Sequence, residues 1–230
     1  NADIVVMGIP FDVSVSNRPG ARFGARAIRE QSLHQGTVGI GNHPYPWGYD
    51  VRDKYKMIDY GDVTFRVNEN SIPSMIEQAE IHATKILEAG CKLLTLGGDH
   101  TIPYGLIRAA KKVYGEIAML HFDSHTDTCD SAETGIFHGT FAADLANEGT
   151  VNAKKSAQVF IRSIMPESDY NIIWANDALA MSPKELAQKI KNIVGDTPVY
   201  FTYDIDSLDP AYAPGTGTAD RARATRAAAA

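Results

Sequence analysis

Two carboxylates and an imidazole alternate along one short stretch of the chain. Asp123, His125 and Asp127 occupy every second position directly after the apolar run 117–120. Alternate residues of an extended strand share a face, so we expect the three side chains to converge if the extended geometry continues past the strand. Buried carboxylates packed this closely repel one another and need a positive partner. The spacing therefore predicts a bound metal ion.

Further polar groups follow two other predicted strands. His100 lies in the glycine-rich turn 97–101 after one strand, and Asp204 and Asp206 alternate after the last strand. A calcium loop of the helix–loop–helix type is a competing interpretation of the last segment. It fails because Leu208 stands where that loop needs an oxygen ligand.

The charge of these groups predicts two metal ions. Four carboxylates balance two divalent cations, and the most economical arrangement has Asp123 and Asp204 bridging them. Imidazoles and carboxylate oxygens favour Mn²⁺, while nickel, cobalt and iron stay open. We do not expect Cys129 to be a ligand, because a soft thiolate suits an oxygen-rich centre poorly. The predicted metal ligands are His100, Asp123, His125, Asp127, Asp204 and Asp206.

Strands and helices that alternate along the chain position these residues. Apolar stretches and cap signals predict strands at 3–7, 56–59, 92–96, 116–122, 156–161, 172–174 and 198–203, and helices at 25–32, 72–89, 103–114 and 182–195. Because the strands are nearly all apolar, we expect an α/β fold with a mainly parallel sheet and helices on both faces. Ligands in such folds gather at the carboxyl ends of strands, where the predicted metal ligands lie.

Between these elements lie two long segments without periodicity, 8–24 and 34–55. We expect 34–55 to lie on the surface or at a subunit contact. No repeat or linker divides the chain, so a single domain is predicted over 1–218, followed by an Ala/Arg-rich tail at 219–230.

The composition of the 230 residues, 44% hydrophobic and 22% charged, is that of an ordinary globular protein. A formal net charge of -6 argues against a nucleic-acid surface and is compatible with a cationic substrate. Two cysteines give no disulfide framework, which favours a cytoplasmic protein. No apolar run approaches the roughly 18 residues of a membrane span, so no membrane partner is expected.

Several motifs resemble those of the ureohydrolase family of arginases and agmatinases, in the same order. They are Gly-Gly-Asp-His at 97–100, Asp-Ser-His-Thr-Asp at 123–127, His-Gly-Thr at 138–140 and the long segment 204–218. Segments 8–12, 18–24 and Pro46-Trp47 extend the likeness and are more similar to the agmatinase branch.

This resemblance implies a three-layer α/β/α, arginase-like fold with a mainly parallel central sheet. It also implies two Mn²⁺ ions per chain and hydrolysis of agmatine, or a related linear guanidino compound, to urea and an amine. His138 falls where the family places a histidine used in proton transfer, and Asp127 is the predicted carrier of a proton to the leaving amine. We further expect a homo-oligomer, a trimer or hexamer.

By motif, the two ions are predicted to share two carboxylates. One ligand set is His100, Asp123, Asp127 and Asp204. The other is Asp123, His125, Asp204 and Asp206.

The sequence departs from the family pattern at two places. Ser124 stands where alanine is usual, and we expect this change to leave the metals in place. After Thr218 the family continues with a Gly-Gly-Leu segment, a helix, a strand and a glutamate that grips the guanidinium, none of which is recognisable in 219–230. We therefore expect a domain that lacks its C-terminal part and a tail of unclear status.

The sequence is also compatible with other functions. Guanidinobutyrate and guanidinopropionate are alternative substrates, a one-zinc deacetylase is an alternative enzyme, and a metal-binding homologue without activity is a third reading. The substrate tail is expected to meet loops 10–22, 129–137 and 163–170. Arg18, Arg22 and Arg162 are possible anchors for a carboxylate tail, although structural pairing or an oligomer contact is the better explanation for each.

Overall fold

The structure is a computed structural model that describes residues 2–37, 49, 51–65, 68, 70–163 and 166–220. Its strands are β1 Ile4–Gly8, β2 Met57–Asp62, β3 Lys92–Leu96, β4 Ala118–Phe122, β5 Ala157–Ile161, β6 Asn171–Trp174 and β7 Val199–Tyr203. Its α-helices are α1 Gly24–Thr37, α2 Val51–Lys54, α3 Ile72–Glu88, α4 Pro103–Tyr114, α5 Ser131–Thr134, α6 Phe141–Asn147, α7 Ala175–Ala180 and α8 Pro183–Val194.

All strand pairs are parallel, which confirms the predicted α/β class. The strands of the described residues form two sheets rather than one, with the orders β2-β1-β3 and β6-β5-β4-β7. The edge strands β3 and β7 do not pair with each other. Both line a cavity of about 1360 Å³. Apolar side chains of these strands, including Leu94 and Phe201, are about half exposed.

Cap signals in the sequence predicted the long helices well. Helix α3 is capped by Ser71, whose hydroxyl accepts a hydrogen bond from the Ser74 backbone N–H at 3.4 Å. Helix α4 runs from Pro103 to the residue before Gly115. Helix α8 has both hydrogen bonds of a capping box between Ser182 and Glu185.

Four short helices, α2 and α5 to α7, were not predicted, and α1 extends beyond its predicted end at residue 32. The short helices contain between four and seven residues, too few for a helical period to appear in the sequence. The segment Pro46-Trp47, much of the predicted excursion 34–55 and residues 221–230 of the tail lie outside the described residues.

The larger hydrophobic core joins the first sheet to α3 and α4. It contains Met7 of β1, Met75 of α3 and Ile107 of α4, all with no exposed surface. Gly105 of α4 sits against the α3 backbone, where an added Cβ would collide with the Ile76 carbonyl and come within 2.9 Å of the Glu80 nitrogen. Glycine at this point lets the two helices approach closely.

Among the described helices, none is both long and apolar enough to cross a membrane.

Candidate metal centre

The chain bends sharply after β4. The strand ends at Phe122, residues 123–125 form bends, and Asp127 has a left-handed φ of 52°. The backbone N–H of His125 donates to Asp123 Oδ1 at 2.7 Å and closes the first bend. The expected continuation of the extended geometry is therefore wrong, although the three side chains do lie at one centre. The bend, and not strand alternation, brings Asp127 there.

His100 reaches the centre from the turn before α4. Gly98 allows this turn to lie against the preceding loop, because an added Cβ would collide with the backbone of Ile9 and Phe11. Asp99 then fixes the turn by accepting hydrogen bonds from the Thr101 N–H at 3.0 Å and from the loop beside it.

The imidazole of His100 faces three carboxylates. Its Nδ1 lies 2.9 Å from Asp123 Oδ2, 3.1 Å from Asp127 Oδ2 and 3.2 Å from Asp204 Oδ2. Its Nε2 is 2.8 Å from Thr202 Oγ1, which fixes the ring with Nδ1 toward the carboxylates. These are the side chains of the first predicted ligand set, and the structure brings all of them together.

A second group forms around His125. Its Nδ1 lies 3.1 Å from Asp206 Oδ2 and 3.4 Å from Asp123 Oδ1. Asp206 is held in place because its Oδ1 accepts a hydrogen bond from the Ser124 N–H at 3.0 Å. Asp123 thus directs Oδ2 to the first group and Oδ1 to the second.

Asp204 lies between the two groups in sequence but touches mainly the first. Its Oδ1 accepts the Asp206 N–H at 2.9 Å, and its Oδ2 faces His100. The bridging role that the sequence suggested for Asp204 stays a prediction.

The donor atoms of both groups suit metal ions. Within the described residues, His100 Nδ1, Asp127 Oδ2 and Asp206 Oδ2 are buried and have no hydrogen-bond partner. Buried polar atoms without partners cost free energy, and a cation among them removes that cost. Imidazole nitrogens with carboxylate oxygens match the preferences of Mn²⁺ and similar ions.

The carboxylates and imidazoles strongly perturb each other. Burial alone would lower the pKa of His125, but the neighbouring carboxylates of Asp123 and Asp206 outweigh it and raise that pKa to about 11. Burial likewise opposes a charged His100, and its three carboxylate neighbours still raise its pKa well above the ordinary value. Burial would raise the pKa of Asp123, but the surrounding histidines hold it well below its usual range.

Two other carboxyl groups shift in the opposite direction. Burial, together with the charge of Asp123, raises the pKa of Asp127. Burial and the charges of Asp123 and Asp204 raise the pKa of Asp206 to about 6, although the neighbouring His125 opposes the shift. Burial and repulsion between carboxylates thus disfavour the ionised forms of these two groups.

Phe141 of α6 closes the back of the centre. Its ring centroid lies 4.9 Å from that of His100 and 5.6 Å from that of His121, and the side chain has no exposed surface. An apolar wall of this kind keeps water away from the imidazoles.

His121 and Arg162 support the centre and were not identified as such from the sequence. His121 is fully buried on β4, with Nε2 2.7 Å from Asp123 Oδ2. It shares the period-two face of Asp123, so the alternation could have revealed it. Arg162 donates to the backbone carbonyls of Asp206 at 2.5 Å and of Ser207 and Leu208 at 3.2 Å.

The other arginines proposed as substrate anchors differ in their surroundings. Arg22 forms an ion pair with the buried Asp12. Arg18 is exposed and lines the cavity between β3 and β7. Structural pairing is thus confirmed for Arg22 and Arg162.

His138 lines the same cavity as His100 and Asp204. Its Nε2 is 2.9 Å from the hydroxyl of Ser16 and accepts the Ser16 backbone N–H at 3.2 Å. Cys129 is only partly buried, and burial together with the charge of Asp127 raises the pKa of its thiol. Neither residue joins a metal-type cluster among the described residues.

The chain is similar to known proteins of one enzyme family. Residues 2–224 match the model of the arginase family. The chain is 40% identical over 219 residues to an agmatinase of Neisseria meningitidis serogroup C, an alignment that covers 95% of this chain and 69% of that protein. It is 41% identical over 219 residues to an agmatinase of Serratia proteamaculans, covering 95% and 70%.

Solved structures show the same likeness. A hypothetical agmatinase from Burkholderia thailandensis superposes with a TM-score of 0.88 at 38% identity, covering 96% of this chain and 69% of that one. Proclavaminate amidino hydrolase from Streptomyces clavuligerus superposes with a TM-score of 0.85 at 31% identity, covering 96% and 74%.

Proposed function

Because the chain belongs to the arginase family and is an amidinohydrolase, we propose that it hydrolyses agmatine or a related linear guanidino compound to urea and an amine. Two Mn²⁺ ions per chain are the proposed cofactors. The agmatinases at 40% and 41% identity support this choice of substrate class.

The observation that carries the proposal is the double use of Asp123. Its Oδ2 lies 2.9 Å from His100 Nδ1, and its Oδ1 lies 3.4 Å from His125 Nδ1. One carboxylate that faces two groups of unpaired donor atoms fits a pair of cations. In the proposed sets, His100, Asp123, Asp127 and Asp204 hold one ion, and Asp123, His125, Asp204 and Asp206 hold the other.

The reaction needs a strong nucleophile and a proton for the leaving amine. When bound, a pair of divalent cations lowers the pKa of water enough for attack on a guanidinium carbon near neutral pH. Asp127 is the proposed proton carrier, because its carboxylate lies at the centre beside His100. His138, which lines the cavity, would exchange that proton with solvent.

The surroundings favour a substrate without a carboxylate tail. Arg22 is engaged with Asp12, and Arg162 with three backbone carbonyls. Of the three arginines considered, this leaves Arg18 at the cavity, while the chain carries a net charge of -6. These features favour a cationic compound such as agmatine over guanidinobutyrate or guanidinopropionate.

The test is urea release by the Mn²⁺-loaded protein from agmatine, guanidinobutyrate, guanidinopropionate and arginine. We expect the fastest release from agmatine, and loss of activity in Asp127→Asn with Cys129→Ser as the matched control. Protein that binds two Mn²⁺ ions and releases no urea from any of the four compounds would instead be a metal-binding homologue without this activity.

We also propose a homo-oligomer, a trimer or hexamer, located in the cytoplasm. Sedimentation analysis of the purified protein tests the assembly. A monomer at all concentrations would contradict it.

A further inference from the structure

We propose that Gln158 and His121 position the Asp123 carboxylate for metal binding, by fixing which nitrogen of His121 carries its proton. This inference rests on the proposed function, because it assigns to Asp123 a place between two ions. The three residues are buried, with exposed fractions of 0%, 0% and 1% for Gln158, His121 and Asp123. His121 of β4 and Gln158 of β5 are register partners on neighbouring strands.

The first step is the orientation of the Gln158 amide. Its Nε2 donates to the carbonyl oxygen of Thr126 at 2.7 Å. A carbonyl oxygen can only accept, so the amide nitrogen and not the amide oxygen must face Thr126. This orientation costs free energy, because it leaves Gln158 Oε1 buried without a hydrogen-bond partner in the described part of the chain.

The second step is the tautomer of His121. The amide nitrogen of Gln158 has a second N–H, and His121 Nδ1 lies 3.1 Å away. Because that N–H donates, Nδ1 must accept and carries no proton. The proton of the neutral ring is therefore on Nε2, which lies 2.7 Å from Asp123 Oδ2 and donates to it.

The third step is the carboxylate itself. Asp123 Oδ2 accepts from His121, and Oδ1 accepts from the backbone N–H of His125 at 2.7 Å. With a donor on each oxygen, the carboxylate plane is fixed, and the remaining lone pairs face the two groups of donor atoms. Residues that hydrogen-bond to a metal-binding side chain commonly set its orientation in this way.

His121 is close enough to the first group to be mistaken for a ligand, since it clusters with His100, Asp123 and Asp127. Ligation would need a free lone pair on Nε2, and hence a proton on Nδ1. Gln158 already donates to Nδ1, which excludes that tautomer. His121 is thus a positioning residue.

The test uses Mn²⁺ alone as the probe and does not depend on catalysis. In equilibrium dialysis we expect His121→Leu to weaken Mn²⁺ binding about 10- to 100-fold. His121→Gln should recover most of the affinity, because its amide nitrogen can take the place of Nε2 as a donor to Asp123. Gln158→Leu should also weaken binding, whereas Gln188→Leu, on the exposed face of α8, is the control and should not.

A second measurement reads the tautomer directly. Nitrogen-15 spectra of metal-free protein should place the His121 proton on Nε2 in the wild type, and on a mixture of both nitrogens in Gln158→Leu. A wild-type proton on Nδ1 would overturn the proposal, as would a folded His121→Leu variant with unchanged Mn²⁺ affinity. If His121→Leu does not fold, the wild-type spectrum and Gln158→Leu still decide. Failure of urea release with both binding results as expected would refute only the proposed function.

Discussion

Removal of the Arg162 guanidinium should weaken metal binding, although Arg162 contacts only backbone carbonyls and none of the proposed ligand atoms. Arg162 donates to the carbonyls of Asp206, Ser207 and Leu208, which form the turn after β7. Asp206 provides an unpaired carboxylate oxygen to the second group of donor atoms. We therefore expect Arg162→Ala to let this turn move and to misplace Asp206.

The size of the effect follows from the hydrogen bonds. A hydrogen bond to a charged group contributes about 1.5–3 kcal/mol. The Leu208 carbonyl is exposed and can bond to water instead, so only the bonds to Asp206 and Ser207 count. Allowing for the partial exposure of Arg162, the two hydrogen bonds together contribute about 3 kcal/mol. If all of this free energy is lost from Mn²⁺ binding, the affinity falls roughly 100-fold.

Calorimetric titration with Mn²⁺ and urea unfolding of the metal-free protein together measure this loss. Arg162→Lys should fall between wild type and Arg162→Ala, because one ammonium cannot span three carbonyls. Arg108→Ala is the matched control: Arg108 pairs with Glu148, so its loss should lower stability and leave affinity unchanged. Wild-type Mn²⁺ affinity and stability in Arg162→Ala, or equally weak binding in Arg108→Ala, would refute the reasoning.

Three further predictions concern single substitutions. Gly105→Ala should lower the free energy of unfolding by about 1–3 kcal/mol or more in urea titrations, since its Cβ meets the α3 backbone, whereas Gly215→Ala, with open space around it, should not. In Ser124→Ala, Mn²⁺ binding measured by dialysis should be about fivefold tighter. The Ser124 hydroxyl lies 3.0 Å from His125 Nδ1, and their hydrogen bond, which contributes about 1 kcal/mol, has to break before that nitrogen can bind an ion. Equal or weaker Mn²⁺ binding in this variant would contradict the prediction. Burial would raise the pKa of Asp12, but Arg22 and two backbone N–H groups outweigh it and lower that pKa below 3.8. Asp12→Asn should therefore cost about 2 kcal/mol of stability, equally at pH 7 and pH 5. This loss of stability should become smaller only as the pH falls below 3.8 and through the lowered pKa of Asp12 in the folded protein. A loss of stability that differs between pH 7 and pH 5 would contradict the prediction.

Local signals explain which elements the sequence predicts well. Strand β3 and helix α4 have their predicted bounds, since an apolar run, Pro103 and Gly115 mark their ends. The division of the strands into two sheets depends on pairing between distant segments, which no local pattern specifies. The short helices contain too few residues to show a helical period, although Asp130 and Gly135 mark the two ends of α5.

The sequence indicates which residues belong to the candidate site better than it indicates how the backbone brings them there. Asp123 and Asp204 directly follow strands as predicted, but Asp206 lies in a single turn of 3-10 helix over 205–207, and Asp127 reaches the centre through a left-handed bend. The contact of Arg162 with the Asp206 turn joins segments 44 residues apart, and no spacing rule connects them. His121 precedes Asp123 by two residues on the same face of β4, so the period-two alternation is a usable signal for it.

Urea formation from agmatine, recorded against the number of Mn²⁺ ions added per metal-free chain, tests the central claim most directly. If two ions that share Asp123 carry out the hydrolysis, activity should rise and reach its plateau at two equivalents. A plateau at one equivalent, or no urea at any ratio, would contradict a two-ion centre in this protein.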